Sequence, residues 1–147
     1  MSLSAWLEKG TLHQHHPSKN EIAGLLALAD RNLADAGIKV LSAEGRFNCA
    51  YGAVLTAATI ALHAAGFRTN SNLPGHHTIT LQSLEYTLGA DSALTNTLDA
   101  YRRKRNKISY DTPVAVAAKE AEDLLVLARQ LRRDVEQWLR KKYPALI

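Results

Sequence analysis

Apolar and polar positions along the chain repeat with a helical period. Apolar residues recur three and four positions apart over most of the sequence, which places them on one face of an α-helix. No segment shows the sustained alternation of apolar and polar residues that marks a strand. The pattern therefore predicts helices over residues 19–36, 42–65, 77–88, 91–109 and 112–143, with a short extra helical turn at residues 3–9.

Cap and turn residues agree with these boundaries. Ser18 and Glu21 form a capping-box pattern, in which the Ser18 hydroxyl accepts from the Glu21 N–H and the Glu21 carboxylate reaches back. Thr112 and Pro113 are typical first residues of a helix, and residues 68–75 have the composition of a polar loop. We therefore predict an all-α fold, an up-down four-helix bundle with an additional short N-terminal helix, in one domain over residues 1–147.

Composition agrees with a globular protein in a reducing compartment. The 147 residues can bury one core, and 46% of them are hydrophobic and 22% charged. Cys49 is the only cysteine, which excludes an intramolecular disulfide. The longest apolar stretch, residues 53–67, is interrupted by polar side chains and is shorter than the ~20 residues of a membrane span. The first residues lack the pattern of a secretory signal. We expect a cytoplasmic protein that does not associate with membranes.

Basic charge is concentrated near the C-terminal end. Residues 1–101 carry 6 basic and 8 acidic side chains, whereas residues 102–147 carry 12 basic and 6 acidic ones. The net charge of the whole chain is +4. This asymmetry favours a polyanionic partner, although helix surfaces are often rich in Lys and Arg simply because these residues are soluble.

The densest group of charges lies in the predicted helix 91–109. Cations near the end of a helix complement its macrodipole, which contributes about 0.3–1 kcal/mol each. This effect does not account for Arg105, which falls on the apolar face of the helix. A charge on this face must meet an anion, open onto a cleft or face a second subunit. Two purely structural explanations are also possible: the Arg105 side chain extends along the rim of the face, or it pairs with a carboxylate such as Glu44 or Asp111. Asn106 and Tyr110 are one turn apart and can share a face with Arg102 or Arg103.

The run Arg105-Asn106-Lys107-Ile108-Ser109-Tyr110-Asp111 resembles the signature region of HEPN domains (higher eukaryotes and prokaryotes nucleotide-binding). In that family an Arg, usually followed by a polar residue such as Asn, lies a few residues before a His at the end of a helix. This chain has Tyr110 at the position of that His. This chain also resembles small bacterial HEPN-like proteins in the order of three further short motifs: Pro17-Ser18, Arg46-Phe47 and Gly75-His76-His77. The resemblance therefore covers about residues 6–140.

The resemblance implies a symmetric homodimer whose cleft binds a nucleotide or cleaves RNA, in a defence or toxin–antitoxin context with a nucleotidyltransferase partner. Carried over to this chain, it gives Arg105, Asn106 and Tyr110 as catalytic candidates. It also gives nucleic-acid-binding candidates: Arg102, Arg103, Lys104 and Lys107. A tyrosine has an ordinary pKa near 10 and is a poor base at neutral pH, but it can bind a phosphate or stack on a base. We expect RNA or nucleotide binding, and ribonuclease activity stays open.

The histidines offer other chemistry. His76 and His77 begin the third predicted helix and His63 lies near the end of the second, so one of them could reach the cleft. Adjacent histidines at a helix start are, however, more often surface or capping residues. His13, His15 and His16 form a local cluster without an acidic partner in the sequence pattern. We expect no metal site and no cofactor.

A different class of function fits the same residues. The chain could be a non-catalytic helical module that binds a partner protein through apolar helix faces, with Arg105 in a structural ion pair. Such a module does not retain nucleic acid even at low salt, whereas an RNA-binding protein retains it with an affinity that falls steeply as salt rises.

Overall fold

Helices make up most of the computed structural model, which describes residues 2–109 and 115–147. The helices are α1 (Leu3–Glu8), α2 (Lys19–Ala36), α3 (Ala43–Ala64), α4 (His76–Gln82), α5 (Leu84–Thr87), α6 (Ser92–Ser109) and α7 (Ala118–Lys142), followed by a short 3-10 turn at Pro144–Leu146. The four long helices α2, α3, α6 and α7 and the short α1 confirm the prediction of an all-α helical bundle.

The core is built around α3. Thirteen of its 22 residues are buried, because its many alanines let α2 and α7 pack closely on two sides. At Gly52, a Cβ atom would lie 3.0 Å from Nδ2 of Asn32 on α2. The buried face of α7 completes the core with Ala121, Leu124, Leu125, Ala128, Leu131, Val135 and Leu139.

The length and composition of α3 also meet the requirements of a membrane-spanning helix, the one such case among the described residues. In this structure, 67% of its most apolar window is buried inside the protein. The core helix of a bundle has the same composition, because it is covered by its neighbours on most sides.

Two short strands correct the prediction that the chain contains none. β1 (Leu12–Gln14) and β2 (Phe67–Thr69) pair antiparallel, with His13 opposite Arg68. Arg68 and the residue after it therefore belong to a strand rather than to the predicted loop. Three residues are too few for an alternation to be visible in a sequence. The pairing holds the N-terminal segment against the end of α3, where a second, smaller core forms from Trp6, Leu12 and Leu62.

Two predicted helices have different limits in the structure. The predicted helix 77–88 is split into α4 and α5 at Ser83, whose hydroxyl donates to the carbonyl oxygen of Thr80 at 2.6 Å. The last helix begins at Ala118 rather than at residue 112, and Ala117 before it is extended, with ψ 148°. The N–H of Ala117 donates to Oε1 of Glu120 at 3.2 Å, so this carboxylate caps α7. Thr112 and Pro113 lie outside the described residues.

A buried cation joins three of the long helices. Arg46 on α3 is only 7% exposed. Its Nε donates to the carbonyl oxygen of Ala36 at the end of α2, and its Nη2 donates to Oε2 of Glu122 on α7, both at 2.8 Å. The guanidinium thus satisfies a terminal helix carbonyl and pairs with a carboxylate at the same time.

Candidate functional site

The second half of α6 lies beside the start of α4, and a cleft of about 310 Å³ opens between them. The cleft is lined by residues of one face of α6, by Gly75 and by the first turn of α4: Arg102, Arg105, Asn106, Gly75, His76, His77 and Thr78. The structure therefore brings the Gly75-His76-His77 segment and the basic segment of α6, which are far apart in sequence, to one place.

The helical period of α6 positions its three cleft residues. Arg102, Arg105 and Asn106 are separated by three and four positions and lie on the same face of the helix. Oδ1 of Asp99, one turn earlier, accepts from Nε of Arg102 at 2.7 Å and orients that guanidinium. Two guanidinium groups and a side-chain amide thus line the cleft on one side.

Arg105 lies at the border between the core and the cleft. It is half-buried, and its Cζ is 5.8 Å from the centre of the Tyr51 ring on α3, a distance at which a cation is attracted by an aromatic face. Leu98 on the same face of α6 is fully buried, and the other apolar residues of this face pack partly against the core: Leu94, Tyr101 and Ile108. The sequence places Arg105 on this face, and the structure agrees. Asp111, a possible partner, lies outside the described residues.

Three other cations of the same segment are not among the residues that line the cleft. Arg103 is 61% exposed, and its Nη1 donates to Oδ2 of Asp99 at 2.6 Å. Lys104 is 3.1 Å from Oε2 of Glu120 and so links α6 to the start of α7. Lys107 is exposed. Of the predicted nucleic-acid-binding residues, only Arg102 therefore lines the cleft.

The opposite side of the cleft carries two half-buried histidines. Gly75 enters α4 with φ 79°, a left-handed conformation that places His76 and His77 in the first turn. Their rings pack edge to face, with centres 4.6 Å apart. Neither side chain forms a capping hydrogen bond at the start of α4. Nδ1 of His76 is buried and has no hydrogen-bond partner within the described parts of the chain.

The electrostatic surroundings favour a neutral imidazole at His77. Burial lowers the pKa of His77, and the nearby His76, Arg105 and Arg102 lower it further. A neutral imidazole can accept a proton at physiological pH. Because the two arginines stay charged, the cleft combines fixed positive charge with a group that can transfer a proton.

Tyr51 lies behind the cleft, against Arg105, although the sequence shows it only as one residue of the apolar face of α3. It is 2% exposed, and its hydroxyl has no hydrogen-bond partner among residues 2–109 and 115–147. Burial raises the pKa of Tyr51, while Arg105 and Arg102 act against that rise. In the sequence, the only sign that Tyr51 has a special role is a phenol among apolar residues, and packing of the ring in the core explains a tyrosine there equally well. Tyr110, the third predicted catalytic residue, lies outside the described residues.

A second polar cluster lies away from this cleft, where β1, α2 and α3 meet. The sequence pattern shows no acidic partner for His15, but the structure places the Glu21 carboxylate against it and brings His63 to the same point. His63, which the sequence offers as a possible cleft residue, is not among the residues that line the cleft and lies here instead. The meeting of His15 and Glu21 with His63 depends on the β1–β2 pairing, which short-range patterns do not show.

Comparison of the chain with protein-family models, with curated proteins and with solved structures gives no match.

Proposed function

We propose that the protein binds RNA, and that Arg102 and Arg105 contact a backbone phosphate in the cleft between α4 and α6. The observation that carries this proposal is the convergence of two guanidinium groups, one amide and two imidazoles on a single cleft of about 310 Å³. This volume is near the lower end for ligand pockets, which suits one phosphate and its sugar rather than several nucleotides.

The side chains in the cleft match the chemistry of an RNA backbone. A guanidinium donates two parallel hydrogen bonds to phosphate oxygens, and an Asn amide donates to a phosphate or pairs with a base edge. Aromatic and imidazole rings can stack on unpaired bases. The excess of basic residues in 102–147 adds a general attraction for a polyanion.

Binding of a fluorescent single-stranded RNA, followed by anisotropy at increasing salt, tests the proposal. We expect Arg105→Gln and Arg102→Gln each to weaken binding about tenfold at low salt, because each loses a charged hydrogen-bond donor. Each variant should also reduce the slope of log affinity against log salt by about 0.7, the contribution of one phosphate contact on a single strand.

Arg103→Gln is the matched control, because it removes the same charge from the same helix at a position outside the cleft. We expect it to weaken binding only about twofold, through the general field. Equal losses for the three variants would mean that RNA follows the exposed face of α6 instead. Absence of binding by the wild-type protein at low salt would contradict the proposal and favour a protein-interaction module.

A second candidate function, cleavage of the bound RNA, is favoured by the neutral imidazole of His77 beside the two arginines. His77 would take the proton of a ribose 2′-OH, and the resulting oxygen would attack the adjacent phosphorus. The P–O5′ bond would break with a proton from His76 or water, leaving a 2′,3′-cyclic phosphate and a 5′-hydroxyl. Arg105 would stabilise the charge on the phosphorus oxygens.

Cleavage is tested with the same RNA in the presence of EDTA, which removes metal-dependent contaminating nucleases. The expected products carry a cyclic phosphate, and His77→Gln should abolish their formation while it leaves RNA binding within about threefold, since the lost group is neutral. If binding persists but no wild-type cleavage occurs, the protein is an RNA-binding protein without this activity.

The resemblance to HEPN domains extends the proposal to a symmetric homodimer with a nucleotidyltransferase partner. In such a dimer, two copies of the α6 face would share one cleft. Light scattering after size exclusion gives the mass in solution, and a monomer at micromolar concentration would remove the dimer from the proposal.

A further inference from the structure

Three potential metal-ligating side chains meet where β1, α2 and α3 come together. Nε2 of His15 is 2.8 Å from Oε1 and 2.9 Å from Oε2 of Glu21. Nδ1 of His63 is 3.6 Å from Oε2 of Glu21. One ligand atom from each residue lies within 4.8 Å of the other two.

The three side chains come from three segments whose backbones are fixed independently. The N–H of His15 donates to the carbonyl oxygen of Gly66 at 2.9 Å and so extends the β1–β2 pairing by one residue. Glu21 lies in the first turn of α2, where its N–H donates to Oγ of Ser18 at 3.1 Å. His63 lies in the last turn of α3. The cluster is therefore preorganised by the fold.

One atom of the cluster has an unmet requirement. Nδ1 of His63 is buried and has no hydrogen-bond partner among the described residues. The His15 and His63 rings pack against each other with centres 4.4 Å apart. A buried ring nitrogen that faces a carboxylate and a second imidazole can be satisfied by a cation that all three coordinate.

We propose that His15, Glu21 and His63 bind one divalent transition-metal ion, with zinc as the best match. Two imidazole nitrogens and one carboxylate are a common ligand set for zinc, whereas calcium and magnesium prefer oxygen ligands. Zinc holds its ligands about 2.0–2.2 Å away, which puts neighbouring ligand atoms in a tetrahedron about 3.3 Å apart. The Glu21 carboxylate lies 2.8 Å from Nε2 of His15 and 3.6 Å from Nδ1 of His63, and all three ligand atoms lie within 4.8 Å of one another, so small side-chain movements reach that spacing.

The ion links the N-terminal segment to two helices of the bundle. The His15, Glu21 and His63 side chains are 20%, 32% and 20% exposed, so an ion can enter from solvent. Three protein ligands leave the remaining coordination position to water. The site is distinct from the cleft between α4 and α6 and does not depend on RNA binding.

Calorimetric titration of the untagged, EDTA-treated and dialysed protein with zinc chloride tests the proposal. We expect one zinc per chain and a rise in Tm on binding. His63→Gln and Glu21→Gln should each weaken zinc binding about 100-fold, because each removes one of three protein ligands. His16→Gln is the matched control: it removes an exposed neighbouring histidine and should leave the affinity within about threefold.

A measurement on the unmodified chain keeps the test decisive if a variant does not fold. In ¹H–¹⁵N spectra tuned to imidazole nitrogens, zinc should shift the signals of His15 and His63 and leave those of His76 and His77 in place. The proposal is overturned if the wild-type protein does not bind zinc, if His16→Gln is as harmful as His63→Gln, or if zinc shifts only His13 and His16.

Discussion

His77 is the residue in the cleft whose protonation the surroundings change most clearly. Burial lowers its pKa in the folded protein, and His76, Arg105 and Arg102 act in the same direction. In the unfolded chain its pKa returns to about 6.5. The unfolded state therefore binds more protons as the pH falls through 6.5, which favours unfolding. The stability associated with a neutral His77 is thus present above about pH 6.5 and is lost below it.

This direction of the pH dependence predicts how the stability of a His77 variant differs from that of the wild-type protein. Between about pH 7.5 and pH 5.5, the free energy of unfolding of the wild-type protein should fall more than that of His77→Gln, whose side chain does not titrate. Urea unfolding at both pH values measures the difference. His63 also has a lowered pKa, but it is present in both proteins and does not affect the comparison. An equal fall in both proteins would contradict the lowered pKa of His77.

At the scale of the helices, substitutions at two glycines distinguish the effect of helix propensity on stability from the effect of packing. A Cβ added at Gly24 on α2 would have no neighbouring atom within 4 Å, whereas a Cβ at Gly52 on α3 would meet Nδ2 of Asn32 at 3.0 Å. Gly24→Ala should stabilise the protein by about 0.5–1 kcal/mol through helix propensity alone. Gly52→Ala should gain less or destabilise, because the Asn32 amide must move. Urea unfolding of both variants compares them, and an equal gain would show that α2 and α3 are less closely packed.

The link between α2, α3 and α7 through Arg46 predicts a larger effect. Arg46→Met keeps the aliphatic volume but removes the donors to the Ala36 carbonyl and to Glu122. We expect a loss of about 1.5–3 kcal/mol in the free energy of unfolding, the usual contribution of hydrogen bonds to a charged group. Arg129→Met, also a cation-to-Met change but at an exposed position of α7, is the control. A loss no larger than that of the control would mean that the Arg46 contacts do not hold the helices together.

The long helices could be predicted because their periodicity is local. The limits of α2 are those that the Ser18 cap and the apolar spacing indicate, whereas β1 and β2 depend on a pairing between residues more than 50 positions apart. The face of α6 that carries Arg105 followed from spacing, but the approach of His76 and His77 to it is tertiary. Arg46 is more buried than Arg105. The sequence pattern does not indicate that three helices enclose it, because its contacts are also tertiary.

At the scale of the whole molecule, two cores share one helix. Leu62 on α3 belongs to the small core with Trp6 and Leu12, while earlier residues of α3 form the centre of the main core. A helix loses its hydrogen bonds cooperatively, so loss of the main core should also release the small one. The predicted single domain therefore requires that the N-terminal segment and the bundle unfold together.

The two tryptophans can test this requirement separately. Trp6 is 5% exposed in the small core and packs edge to face on Tyr86, whereas Trp138 packs on Tyr143 near the end of α7. Trp138→Phe leaves Trp6 as the only fluorescent tryptophan, and Trp6→Phe leaves Trp138. Within each variant, the urea midpoint from fluorescence should equal the midpoint from circular dichroism of the helices. If the Trp6 fluorescence of Trp138→Phe instead gives a lower urea midpoint than the circular dichroism of the same variant, the N-terminal segment is a separate, less stable unit. In that case α3 does not transmit the stability of the bundle to this segment.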